Sequence, residues 1–197
     1  MKCKLLLFFM YLLLFINNFY IFVAIIKPLT MKKLNLLKTI VDFIWIMSLI
    51  FYPLIIIFSV MVLIDKEVFD IPIKILGTSV DLSTGYGKIA LIITVLNFGL
   101  LLYAVYFFRK LLTLFTKRII FDDEICLLLD KIGSLVIYAS IVYLISDFII
   151  KLSNSTVEIQ FGYGPFLYLL ALGLFFKVLS EVFTIGKRIK EENELTI

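Results

Sequence analysis

The sequence contains no histidine and only two cysteines, Cys3 and Cys126, among its 197 residues. Histidine is the usual general base near neutral pH and the commonest metal ligand, so its absence argues against most hydrolytic and zinc chemistry. The cysteines form no Cys-x-x-Cys pair, and a disulfide framework is not expected. Motifs for phosphate-binding loops, nucleophile elbows and metalloprotease helices are also missing. The sequence therefore predicts no enzyme activity, no cofactor and no metal site.

Charged residues are scarce as well, at 17% of the chain, whereas hydrophobic residues make up 62%. A soluble domain has roughly 25% charged and about 45–50% apolar residues. A soluble fold of this length cannot bury so much apolar surface, so the sequence predicts a single-domain membrane protein.

Four apolar stretches are long enough to cross a bilayer as helices. They comprise residues 36–64, 89–108, 132–150 and 165–183. At 1.5 Å per residue, each covers a hydrocarbon core of about 30 Å. Backbone polar groups in lipid must be bonded within their own segment, which requires α-helices. We therefore predict an all-α polytopic membrane bundle with four core transmembrane helices.

A fifth apolar stretch, residues 5–26, leaves two interpretations open. Met31, followed by two lysines, resembles the natural start of a membrane protein, which would make residues 1–30 an extension of a membrane domain at 31–197. Alternatively, residues 5–26 form an additional, uncleaved helix, since no small-x-small cleavage site follows them.

Basic residues predict the orientation of the chain, because cytoplasmic loops of membrane proteins are enriched in Lys and Arg. Most of them lie on one side, in the segment after Met31, the turn at 109–131 and the C-terminal tail. The sequence thus predicts a multi-pass protein of the cytoplasmic membrane with a cytoplasmic C-terminus. The outer loops at 65–88 and 151–164 contain alternating apolar and polar residues, which predict short strands.

Helix signals extend beyond the apolar stretches on the predicted cytoplasmic side. Asp122 is a good N-cap and Asp123 and Glu124 follow in the first turn, so the third helix is predicted to begin at Asp123. We expect the second helix to continue as far as Arg118 and the tail to stay helical until about Glu194. These projecting ends are either simple headgroup anchors or a docking surface for a soluble partner.

Polar residues within the predicted helices are candidates for an intramembrane site. Lys177 and Glu181 lie four residues apart on one helix face, and Lys177 can also reach Asp42. This pattern favours a structural ion pair over a proton or ion relay. Asp147 is interpreted as an interfacial residue, with a cavity lining as the alternative. Asn97 is interpreted as a side chain that hydrogen-bonds a neighbouring helix.

Two regions of the sequence contain short motifs that are informative in combination. The first consists of Arg109-Lys110-Leu111-Leu112, Ile120-Phe121, Glu124 and Lys131-Ile132-Gly133. The second consists of Leu179, Glu181-Val182-Phe183, Gly186 and the terminal run from Glu191 to Ile197. Together they resemble the bacterial membrane protein family called domain of unknown function 2975, over about residues 31–197. That family often has Gly or Pro before the Phe of the turn, where this chain has Arg118-Ile119-Ile120.

The resemblance implies a four-helix membrane protein with no assigned activity, often encoded beside a small helix-turn-helix regulator. Our first hypothesis is therefore a regulatory or interaction protein whose cytoplasmic end binds such a regulator. Its docking candidates are Arg109, Lys110, Phe121, Asp122, Glu124, Glu192, Leu195 and Thr196.

The alternative hypothesis is a small transporter, channel or immunity-type membrane protein with Lys177, Glu181 and Asp42 as its polar centre. The partners expected from the sequence are the lipid bilayer and the regulator, with a homo-oligomer as a further option. No direct contact with nucleic acid is expected.

Overall fold

The computed structural model describes residues 31–64, 74–75, 78–80, 82, 84–153 and 164–195. They contain four long α-helices, α1 (Met31–Ile64), α2 (Gly85–Thr116), α3 (Asp123–Ser153) and α4 (Pro165–Glu194). Between α1 and α2, strand β1 (Lys74–Ile75) pairs antiparallel with β2 (Thr78–Ser79). All four helices are long and apolar enough to cross a membrane, which makes the described part an all-α helical bundle with four candidate spans.

Local sequence signals explain where three of the helices begin. At the start of α2, the Thr84 hydroxyl accepts a hydrogen bond from the Gly87 N–H at 3.2 Å. The Asp122 carboxylate accepts one from the Glu124 N–H at 2.9 Å, which caps α3. Helix α4 begins with Pro165, whose fixed φ suits the first helical position and whose missing N–H is not needed there.

Helix α2 ends at Thr116 because the backbone turns left-handed immediately afterwards. Arg118 has a φ of 61°, and its N–H donates to the Phe115 carbonyl oxygen at 3.0 Å. A left-handed residue cannot continue a right-handed helix. The expectation that α2 continues to Arg118 is therefore wrong, and residues 117–122 form the turn to α3.

Helices α2, α3 and α4 share one core within the compact unit formed by residues 38–197. Phenylalanine rings join α2 to α4, since Phe108 lies 6.0 Å from Phe176 and Phe115 lies 6.0 Å from Phe183 between ring centres. The buried side chains of this core are Ala104, Leu111, Ile125, Leu128, Leu129, Ile132 and Val136.

Two glycines allow close contact between α3 and α4. A Cβ added at Gly133 would lie 2.9 Å from the Gly173 carbonyl oxygen, and one added at Gly173 would lie 3.0 Å from the Gly133 carbonyl oxygen. Lipid tails are as apolar as leucine, so helices in a bilayer associate through van der Waals packing, which small residues improve. This glycine pair therefore fixes how α4 sits on α3.

Helix α1 is held to α2 by side chains rather than by close backbone approach. The Trp45 ring lies 5.5 Å from the Tyr106 ring, and the Tyr52 ring lies 5.9 Å from the Phe98 ring. Tyr52 also occupies the space in front of Gly99. Most large apolar side chains of α1 are exposed, which is the surface that lipid would solvate.

Helix α4 is displaced along the bundle relative to α3. Gly173 lies beside Gly133, and Lys187 pairs with Asp123, as expected for two antiparallel helices in one fixed register. At about 1.5 Å per residue, α3 continues roughly 18 Å beyond the level of Pro165. At the opposite end, the same register leaves about the last three turns of α4 beyond the first residue of α3.

The four predicted spans are confirmed, as are the start of α3 at Asp123 and the helical tail to Glu194. Of the strands predicted in the outer loops, the structure shows the short hairpin within residues 74–79. The stretch at 5–26 and residues 154–163 of the second loop lie outside the described residues. The division into 1–30 and 31–197 therefore stays a prediction.

Candidate functional site: the turn end of the bundle

Two ion pairs lie near the end of the bundle that carries the turn between α2 and α3. Together they use one charged side chain from each of the four helices. Arg109 on α2 donates from Nε to the Asp42 carboxylate on α1. Lys177 on α4 donates from Nζ to Asp130 on α3 at 2.6 Å. We call these four residues the charge layer.

The two pairs of the charge layer lie at the same level of the bundle. Lys131, next to Asp130, places its ammonium 5.5 Å from the centre of the Phe107 ring, which is two residues from Arg109. On the far side of the layer, residues 43–64, 89–108 and 165–176 carry no charge. Because charges in hydrocarbon are costly, the charge layer marks one edge of the apolar part of these helices.

Beyond the charge layer, further ion pairs tie α2 and α4 to the start of α3. Lys110 pairs with Glu124 at 2.6 Å, and Lys187 pairs with Asp123 at 2.5 Å and with Glu191 at 3.3 Å. Exposed pairs of this kind contribute only about 0–1 kcal/mol each, so they orient the helix ends more than they stabilise them. We call residues 110–124 and 181–195 the turn end.

The structure does not assemble the predicted polar centre of Lys177, Glu181 and Asp42. Lys177 pairs with Asp130, and Asp42 pairs with Arg109, so the expected contacts of Lys177 with Glu181 or Asp42 are wrong. The reason is the packing order: α4 lies against α3, whereas α1 lies against α2. Within the described part of the chain, Glu181 has no ion-pair partner.

The remaining intramembrane candidates lie away from the charge layer, Asn97 midway between Gly85 and Arg109 on α2 and Asp147 near the far end of α3. Asn97 is buried, and its amide oxygen has no hydrogen-bond partner among the described residues. Asp147 pairs with Lys151 one turn later at 2.9 Å, as suits an interfacial position. The Thr94 and Ser146 hydroxyls share a 2.7 Å hydrogen bond between α2 and α3. The packing role assigned to Asn97 stays a prediction.

A groove runs along α4 from the charge layer into the turn end. Its volume is about 480 Å³. It contains Glu181 and Arg188, which have opposite charges and no ion-pair partner within the described ranges. The complete lining is Asp130, Lys177, Val178, Ser180, Glu181, Thr184, Ile185 and Arg188.

Apolar side chains are exposed at the turn end, on the side of the charge layer away from the apolar spans. The Phe121 ring packs on Gly186, where an added Cβ would lie 2.8 Å from its Cε1 atom, and lies 6.2 Å from the Phe183 ring. This contact joins the turn to α4. The exposed apolar residues of the turn end are Ile119, Ile120, Phe121, Ile185, Ile189 and Leu195.

The predicted docking residues fall into three groups. Lys110 and Glu124 pair with each other, while Arg109 belongs to the charge layer and Asp122 caps α3. Phe121, Glu192 and Leu195 are exposed on the turn or on the last turns of α4. Thr196 lies outside the described residues. No cluster of acidic or cysteine side chains arranged for a metal ion occurs in the described part.

Comparison with known proteins identifies the family of the chain. The model of the family described as protein of unknown function (DUF2975) matches residues 34–197, which include nearly all of α1 and the whole of the other three helices. No curated protein matches the chain, and no solved structure matches it. Because the family match covers most of the sequence, the chain belongs to the DUF2975 family.

Proposed function

We propose that this chain is a non-enzymatic regulatory membrane protein whose turn end binds a small, soluble helix-turn-helix regulator. The observation that supports it most is the set of isoleucines and the leucine exposed beyond the charge layer. Apolar side chains outside the hydrocarbon face water unless another protein covers them, and such patches mark interaction sites. A helix-turn-helix protein is the expected partner because the family resemblance implies a neighbouring gene of that type.

The orientation required by the proposal agrees with the distribution of charge. The turn and the tail carry Arg109, Lys110, Lys117, Arg118, Lys187, Arg188 and Lys190, whereas the opposite end carries fewer basic residues. Loops rich in Lys and Arg stay in the cytoplasm. We therefore infer that the turn end and the C-terminus face the cytoplasm, where a soluble DNA-binding partner would be found.

Co-purification in detergent with the helix-turn-helix protein of the neighbouring gene tests the proposal. Replacing both Ile185 and Ile189 with Ser removes two half-exposed apolar side chains from the surface, and we expect capture to fall about tenfold or more. Leu127→Ser is the control, because Leu127 on α3 is similarly exposed but belongs neither to the turn end nor to the groove lining.

Deleting residues 191–197 should also abolish capture without preventing membrane insertion. Failure of the wild-type chain to capture the regulator would overturn the proposal, as would equal capture by the wild type and by the Ile185→Ser, Ile189→Ser double variant.

A further inference from the structure

Two unpaired charges of opposite sign lie on one face of α4 within the groove. Glu181 and Arg188 are seven residues apart, which is two helical turns and about 10 Å along the axis. The ion pairs at the turn end involve other residues, and among the described residues neither of these two forms an ion pair. An unpaired carboxylate and an unpaired guanidinium at this spacing form a two-point charge pattern.

The groove between these charges has an apolar and hydroxyl lining. Ile185 lies between them and is half-exposed. Ser180 donates its hydroxyl hydrogen to the Cys126 carbonyl at 2.7 Å, and Thr184 donates its own to the Ser180 carbonyl at 2.9 Å. Both hydroxyl oxygens therefore retain lone pairs that can accept hydrogen bonds from a ligand.

The groove runs from the charge layer in the direction away from the apolar spans. Lys177 belongs to the charge layer, so Glu181 and Arg188 lie about 6 Å and 16 Å beyond it along α4. Lys187, adjacent to Arg188, pairs with Asp123, which lies seven residues from Asp130 toward the start of α3, so this part of α4 lies beyond the charge layer. The two charges are thus spread over a greater depth than one lipid headgroup occupies.

We propose that the groove binds an amphipathic helix of the soluble partner, with a basic side chain opposite Glu181 and an acidic side chain opposite Arg188. A second helix repeats its own faces every seven residues, so one helix places two charges and an intervening apolar side chain at the required spacing. This inference rests on the proposed function, because it specifies the chemistry of the partner that the turn end binds.

Synthetic helical peptides test the charge pattern directly on the full chain in lipid nanodiscs. Three 21-residue peptides share one apolar face and differ at two positions seven residues apart, which carry Lys and Glu, Lys twice, or Glu twice. Compensating charges on the opposite face keep their net charge equal. Fluorescence anisotropy measures Kd, and we expect the wild-type chain to bind the mixed peptide about tenfold more tightly than either other peptide.

Reversing one charge of the groove should change which peptide the chain binds most tightly, and the two possible reversals should favour different peptides. Glu181→Arg gives the groove two positive charges and should favour the peptide with two Glu residues. Arg188→Glu gives it two negative charges and should favour the peptide with two Lys residues. Lys190→Glu is the matched control, because it changes the net charge equally outside the groove lining and should leave the preference for the mixed peptide intact.

Unchanged peptide preference in the two groove variants would overturn the inference, as would equal or absent binding of the three peptides to the wild type. The same holds if vesicles of phosphatidylethanolamine displace the mixed peptide, because a lipid headgroup would then be the occupant. Glu181→Gln and Arg188→Gln should weaken the preference without reversing it. A reversed preference in Glu181→Arg and Arg188→Glu excludes misfolding, because a misfolded chain would lose binding to every peptide. If both charge-reversed variants capture the helix-turn-helix protein normally, the groove is not its binding site, but the proposed function still holds. If the wild-type chain shows the peptide preference but does not capture the helix-turn-helix protein, only the proposed function is rejected.

Discussion

Adding a single methyl group where α3 contacts α4 should loosen the bundle. In Gly173→Ala, the new Cβ would lie 2.6 Å from Ile137 Cγ1 and 3.0 Å from both the Ile137 nitrogen and the Gly133 carbonyl oxygen. Ordinary contacts are about 3.4–4 Å, and two of these three atoms belong to the backbone of α3. The side chain of Ile137 can change rotamer to relieve the clash. The backbone atoms of α3 can move away only if the whole helix shifts relative to α4.

The magnitude follows from two opposing terms. Overpacking of a close contact costs about 1–3 kcal/mol, whereas replacing Gly by Ala inside a helix contributes about 1 kcal/mol of helix propensity. We therefore expect Gly173→Ala to lower the free energy of unfolding by about 1 kcal/mol, and Gly173→Val by about 3 kcal/mol. For a chain of this size, 1 kcal/mol corresponds to roughly 2–4 °C in Tm.

The assay uses the single half-buried thiol of α3. In a Cys3→Ser background, Cys126 is the only cysteine, and a thiol-reactive dye reports its exposure as the protein unfolds in detergent. Gly85→Ala is the control, because an added Cβ at Gly85 meets nothing within 4 Å, and its Tm should stay equal or rise. If Gly173→Ala and Gly85→Ala have the same Tm, the glycine contact does not hold α4 against α3, and the helix register argued from that contact is wrong.

Two further predictions concern the turn and the charge layer. Arg118→Gly should raise the free energy of unfolding by up to about 1 kcal/mol, since glycine adopts a φ of 61° without strain, whereas Arg118→Pro should lower it by about 3 kcal/mol in the same melting assay. Asp42→Asn and Arg109→Gln should each destabilise α1 on α2, and the double variant should cost less than their sum by about 1 kcal/mol or more. Strict additivity would show that this ion pair contributes nothing.

The helices were predictable because their signals are local. Apolar length alone locates the four spans, and the Asp122 cap with two acidic residues after it locates the start of α3 to the residue. The end of α2 was missed because it depends on a left-handed Arg118, a conformation that arginine rarely adopts and that no pattern indicates. A glycine or proline in the turn would have indicated that the helix ends there, but residues 117–122 contain neither.

The ion pairs were less predictable because they depend on how the helices are placed along one another. Lys177 and Glu181 are neighbours in sequence, but the lysine pairs with Asp130, 47 residues away. That partner follows only when the register of α3 and α4 is known, and the register is set by Gly133 and Gly173. A glycine in an apolar run indicates close packing without indicating which helix it packs against.

The register also bears on which hypothesis of function the chain supports. A transport site needs its charges at the middle of the hydrocarbon, where they can face a pathway. The glycine contact instead brings Lys177 level with Asp130 at the edge of the apolar region and carries Arg188 beyond it. With α4 moved one helical turn, about 5.4 Å, the other way, Lys177 would enter the span, whereas Arg188 would still lie about 11 Å beyond its edge. The position of one helix contact thus leaves Arg188 beyond the apolar spans, which is where the proposed soluble partner would have to meet it.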